Sequence, residues 1–268
     1  MLSILKGEFR KVYTSKSLLV CLIITSVFNF LSVVSTRLLN SLFISGEEEV
    51  IVERPLREVL IGPMTSNDFF IVLAIFLAIW TLRDYSSGSI KNMIARGCSR
   101  NNIFFAKYIV AIVTTIAYTF VNILLHAGFS AIFMKITGEF TLEIFEFLML
   151  DIFIVITLAT VYFGFIMLTQ KLAPAIIINL IVGSVLQIIC VVIDLLSESE
   201  TMLFQTLHLE TAITMTLGGT SISAMLLEGI FNVPEIGPNF ILHMLIICFI
   251  YIALFLTGSF LVNRKKEY

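Results

Sequence analysis

Apolar residues run along this chain in six near-continuous stretches, at 17–38, 64–82, 108–134, 147–169, 173–193 and 239–262. Each approaches the roughly 20 residues that an α-helix needs to cross a bilayer. The pattern therefore predicts an all-α integral membrane protein with six transmembrane helices in one domain, residues 1–268. The second stretch is the weakest, because its clearest run is Phe69–Leu82; it is expected to extend back through Asn67 and Asp68 toward the outer surface. Ahead of the first stretch the period changes. Leu2, Leu5, Phe9 and Val12 recur three and four apart, and Lys6, Glu8, Arg10 and Lys11 fill the other face. That spacing predicts an amphipathic interfacial helix on the inner leaflet over residues 1–16. No small-residue cleavage site follows, so the first span is expected to be retained as an anchor.

The polar interruptions differ in kind. Residues 39–63 carry Glu47-Glu48-Glu49, Glu53 and Glu58, and the glutamate triplet reads as a solvated charge run. Residues 194–238 mix Leu, Ile, Met and Phe with Thr, Ser and Gly; Gly218-Gly219 breaks the segment and Asn232-Val233-Pro234 ends it. One or two outer-surface or re-entrant helices fit this segment better than a span, packed on the bundle rather than exposed to lipid. Residues 83–107 are short and punctuated. Ser87 and Gly88 precede a helical stretch, Gly97 can end it, and Ser99 can cap the next helix. Within it Met93 and Ile94, flanked by Lys91, Asn92 and Arg96, form an apolar knob with a charged rim.

Charge fixes the expected orientation. Residues 83–107 carry five Lys/Arg and one acid, a bias that belongs on the cytoplasmic side. With both termini cytoplasmic, 13 of the 17 basic residues lie inside and 16 of the 19 acids outside; the reverse orientation inverts this. An even number of crossings follows. Composition agrees: the chain is 58% hydrophobic and 13% charged, with a mean hydropathy of +1.01, well beyond what a soluble domain needs.

Candidate chemistry is sparse. The chain has no GxxxxGK[ST] phosphate loop, no GxSxG and no HExxH. Cys21, Cys98, Cys190 and Cys248 show no metal or disulfide spacing. His126, His208 and His243 are single and widely separated, which favours structural roles over a metal site. Uncharged polar residues do recur inside spans: Asn29 and Ser32 in the first, Thr115, Tyr118, Asn122 and His126 in the third, Asn179 and Gln187 in the fifth. They read either as interhelical hydrogen-bonding groups or as a translocation path or dimer seam. No Asp, Glu, Lys or Arg falls at the centre of a span. Asp68, Asp151 and Arg37 lie near outer ends, where they are expected to reach the interface. This weakens a proton- or sodium-driven carrier.

Six spans, a basic amphipathic N-terminus and the loop after the second span resemble ABC-type export permeases of the second exporter family (ABC-2 type). The residues that carry the resemblance are Asp84, Gly88-Ser89-Ile90-Lys91, Gly97-Cys98-Ser99-Arg100 and Lys107. Asp84 and Ser89 stand where Glu and Thr are more usual. The resemblance implies that residues 88–100 hold a coupling helix seated in a groove of a cytoplasmic ABC ATPase. Gly88, Ser89, Ile90, Lys91, Asn92, Met93, Ile94, Arg96, Gly97 and Arg100 would form that contact, braced by the N-terminal helix. It also implies a second permease subunit, identical or homologous, and no cofactor in this chain, with ATP and Mg bound by the partner. The expected activity is ATP-driven export across the cell membrane of a hydrophobic or amphipathic peptide or drug-like cargo. The alternatives are a motor-independent channel or secondary carrier and a membrane-embedded peptide sensor or immunity protein. No nucleic-acid partner is implied.

Overall fold

The computed structural model describes residues 2–43, 53–197, 206–217 and 239–265. Glu47-Glu48-Glu49, Gly218-Gly219 and the break at Asn232-Val233-Pro234 lie outside the described residues. Among the described residues the chain forms ten α-helices and two short strands. They run α1 (Leu2–Tyr13), α2 (Lys16–Phe43), β1 (Glu53–Pro55), α3 (Leu56–Thr65), α4 (Asn67–Ser86), α5 (Ser89–Ala95) and α6 (Arg100–Phe133). There follow β2 (Lys135–Thr137), α7 (Leu142–Thr169), α8 (Leu172–Ser197), α9 (Leu209–Thr216) and α10 (Phe240–Lys265). Six of these, α2, α4, α6, α7, α8 and α10, are long and apolar enough to cross a membrane, and the chain is a multi-pass membrane protein.

α1 and α5 lie at one end of the bundle, here the α5 end. α3 and the strands lie at the other, the α3 end. Short side-chain caps start several helices: the Ser15, Ser99 and Thr141 hydroxyls accept the backbone N–H of Leu18, Asn102 and Ile144, groups that a helix start otherwise leaves unpaired. α4 and α7 are mostly buried, whereas α2, α8 and α10 present most of their apolar surface outward, as lipid permits. α10 lies along α7, and Gly164 sets how closely. A Cβ there would stand 2.9 Å from Cδ1 of Phe255, so only glycine admits that ring, which also meets Phe165 edge-on at 5.1 Å.

The structure adds to the sequence reading at four places. Within 39–63, where no helix was expected, residues 56–65 form α3. It buries Val59, Ile61, Pro63 and Met64 despite the Gly62-Pro63 pair, which locally reads as a breaker. The second span begins after α3, at Asn67, so the extension through Asn67 and Asp68 is present. The third span starts at Arg100, making Asn101–Lys107 helical, and the fourth starts at Leu142. Finally, β1 and β2 pair in parallel, Glu53 opposite Lys135, with an exposed 2.6 Å ion pair between the same two residues.

Candidate functional site

At the α5 end two glycines shape a helical hairpin. α4 stops at Ser86, and Gly88 adopts φ 68°, turning the chain into α5. Gly97 at φ 88° ends that turn, and Ser99 caps α6. Left-handed backbone at both corners favours glycine. Ile90 is buried and holds α5 against the root of the bundle. Met93 and Ile94 are half-buried, while Lys91, Asn92, Arg96 and Arg100 are exposed. Apolar side chains are thus presented within a charged rim.

A cluster of four charges, three of them buried, fastens this hairpin. Lys107 on α6 is fully buried; its Nζ donates to Asp84 Oδ2 at 2.6 Å and Glu8 Oε2 at 3.3 Å. Lys11 completes the set, reaching Glu8 Oε1 at 2.7 Å and Asp84 Oδ2 at 3.1 Å. Two lysines and two acids cancel, which makes their burial tolerable. Burial opposes the charge of Lys11, but the hydrogen bonds and attraction of Glu8 and Asp84 outweigh it and hold its pKa above the usual 10.5. The aromatic face of Trp80 lies 5.3 Å from Lys107 Nζ. The cluster ties α1, α4 and α6 together at the base of α5. It corrects one expectation: Glu8, placed on the polar face of α1, is 1% exposed and points into the bundle. A signal was present, since Glu8 shares a helical stripe with Leu5, Phe9 and Val12.

Within the spans the polar residues fall into two groups. Asn29, Tyr118, Asn122 and His126 come together between α2 and α6. Asn29 Nδ2 donates to Asn122 Oδ1 at 2.6 Å, and Asn122 Nδ2 donates to the Pro63 carbonyl at 3.0 Å. His126 bridges Asn29 Oδ1 at 3.0 Å and Arg54 Nη1 at 3.1 Å, and Arg54 also meets Glu58 at 3.2 Å. Tyr118 pairs with the Thr25 hydroxyl. The others stand apart. The Thr115 hydroxyl turns back to the Ala111 carbonyl, Ser32 and Gln187 are exposed, and Asn179 is buried with neither amide atom partnered among the described residues.

α9 reaches into the bundle rather than lying across its end. Its N-terminal part meets Tyr162, in the third quarter of α7 counted from the α3 end: the Tyr162 hydroxyl donates to Glu210 Oε1 at 3.0 Å. Tyr251, nearly halfway along α10, donates to the Leu207 carbonyl at 3.0 Å. The C-terminal part lies shallower, where the Thr216 hydroxyl donates to Asp151 Oδ2 at 2.8 Å and Arg57 Nε to the Thr216 carbonyl at 2.9 Å. Buried Leu209, Ala212, Ile213 and Thr216 form its inner stripe. One helix thus lies in the described part of 194–238, packed on the bundle as expected of that segment, and it places an acid, Glu210, deep in the bundle. Sequence position alone did not find it. Asp151, expected to reach the interface, is instead fully buried, and its Oδ2 accepts the Thr216 hydroxyl.

The His208 ring is read from its partners. Nδ1 accepts the Thr211 backbone N–H at 3.3 Å, so the proton resides on Nε2, 4.0 Å from Glu210 Oε2.

A family model described as an ABC-2 family transporter protein matches residues 4–186, more than half of the chain. The chain belongs to the ABC-2 transporter family. The match spans α1 through the first half of α8, so it contains the four-charge cluster and the α5 hairpin, whereas α9 and α10 lie beyond it. A search of curated proteins finds no match. As an ABC-2 permease the chain is the transmembrane component of an ABC transporter, generally not its catalytic unit, and the family implies association with an ABC ATPase.

Proposed function

We propose that this permease is the membrane subunit of an ATP-driven exporter, that α5 is its coupling helix, and that the α5 end faces the cytoplasm. One observation carries the reading. α5 is a short helix bracketed by two glycine corners, and its base is clamped to α1, α4 and α6 by the charge cluster of buried Glu8, Asp84 and Lys107 with half-exposed Lys11. A helix so anchored transmits a push to three elements at once instead of folding aside. The excess of Lys and Arg at this end supports its cytoplasmic placement. Two permease subunits, identical or homologous, with two ATPases holding ATP and Mg, would complete the transporter. The apolar faces of the bundle favour a lipophilic or amphipathic cargo.

The test is copurification in mild detergent from the native membrane, followed by an ATPase assay and transport in vesicles. A P-loop ATPase should accompany the wild-type chain in stoichiometric amount. Met93→Asp or Ile94→Asp should abolish transport and uncouple ATP hydrolysis while leaving the bundle folded. Transport that survives both changes places the coupling surface elsewhere. The depth of Glu210 favours a second reading, an ion-coupled carrier, because a deep acid is what such carriers use. Transport driven by an ion gradient with no ATPase present would decide for it.

A further inference from the structure

Among the described residues the deep carboxylate of Glu210 has no cationic counter-charge. Its oxygens meet the Tyr162 hydroxyl at 3.0 Å and the neutral His208 ring at 4.0 Å. Among the described residues no lysine or arginine lies within ion-pair distance of it. The α5 end shows what this chain does with acids it means to seal: two lysines cover two carboxylates there. Glu210 is not sealed either, for 23% of its side chain is exposed while Tyr162 beside it is buried. The wall opposite is α8, whose Gly183 faces the pair: a Cβ there would stand at ordinary contact distance, 3.8 Å from Glu210 Oε1 and 4.0 Å from His208 Nε2, so a larger side chain would press on both. One turn along α8 on the same face, Asn179 is buried, and both its amide atoms are unpartnered among the described residues. A buried unpartnered amide is costly, and an ammonium N–H is the kind of donor its oxygen accepts.

We propose that Glu210, supported by Tyr162, His208 and Asn179, receives the protonated amine of an amphipathic cargo, whose apolar body lies along the outward-facing Ile and Val side chains of α8. The inference rests on the permease reading. It narrows the cargo from amphipathic to cationic: a primary ammonium on a hydrocarbon body. The carboxylate supplies charge, the Tyr162 hydroxyl orients one oxygen, and Gly183 keeps a larger side chain away from the carboxylate. A neutral molecule of the same length gains none of this.

The test uses the full chain in lipid nanodiscs without an ATPase. Saturable binding of tritiated dodecylamine is measured by scintillation proximity and compared with tritiated dodecanol, and empty discs give the background. Dodecylamine should bind at least about tenfold more tightly than dodecanol, and Glu210→Gln should remove that preference. Gly183→Leu, which keeps the carboxylate and fills the space beside it, should weaken amine binding comparably, and Gly183→Ala should retain it. Dodecanol binding as well as the amine, or Glu210→Gln and Gly183→Leu both binding the amine like wild type, would overturn the proposal. Failure of the motor reading leaves this binding untouched, since no ATPase takes part. A stoichiometric ATPase complex that ignores the amine would sink the site alone.

Discussion

The α5 end and the α9 contact both bury acids, and they hold them by different means. At the α5 end Glu8 and Asp84 face Lys11 and Lys107, so charge is cancelled within the chain. Around α9, Glu210 and Asp151 are held by hydroxyls, from Tyr162 and Thr216. Taking an ion pair out of water repays its cost only when partners are close and complete, and removing one member then exposes the full penalty. A hydroxyl contact carries far less and is readily exchanged. The first arrangement fits a joint that must not yield, the second a surface that trades partners.

Breaking the comparison at its strongest point should give the largest effect. Lys107→Met leaves two buried acids with Lys11 alone and should cost about 3–5 kcal/mol. Fluorescence of Trp80, the chain's single tryptophan, reads the change during unfolding in detergent because its ring lies beside Lys107. A loss under about 1 kcal/mol would remove the contrast between the two regions. Thr216→Val should cost less, about 1 kcal/mol, since the Arg57 contact to the Thr216 carbonyl survives it; the same unfolding measurement checks this. A loss as large as that of Lys107→Met would mean that Asp151 is clamped as firmly as Asp84.

Lys11→Met should matter least. Its side chain is 42% exposed, where solvent screens the pair, and the expected loss is below about 1 kcal/mol. Its pH dependence has a definite sign. The folded pKa lies above the usual 10.5, so the stabilisation is complete below that value and fades as pH rises through the folded one. Wild type and Lys11→Met should therefore converge in stability only in strong alkali. Convergence near neutral pH would mean that Lys11 contributes nothing to the cluster.

Local signals carried much of the fold. Six spans follow from length and hydropathy, α1 from its three-and-four spacing, and the α5 hairpin from Gly88, Gly97 and Ser99, each of which acts on its own neighbours. What stayed hidden depends on partners far along the chain. Residues 8, 84 and 107 share no local pattern, although the place of Glu8 on an apolar stripe was a clue. α3 is helical because α6 and α9 cover it, against the local message of Gly62-Pro63. The depth of Glu210 is a property of how α9 descends beside α7, and hydropathy along the chain cannot distinguish an acid above a bilayer from one carried into it. The ABC-2 resemblance was legible in about 25 residues, and the family match covers 4–186. The deep acid lies outside that match, and so outside what the resemblance could supply.

The parallel pairing of β1 with β2 has a consequence for biogenesis. Glu53 and Lys135 are 82 residues apart, and α4, α5 and the whole of α6 lie between them. β1 leaves the ribosome long before its partner exists, so the α3 cap cannot close until the third span has been threaded through the membrane. Closure of the cap therefore marks, during synthesis, the moment at which α4 and α6 have both crossed and returned the chain to the side of β1.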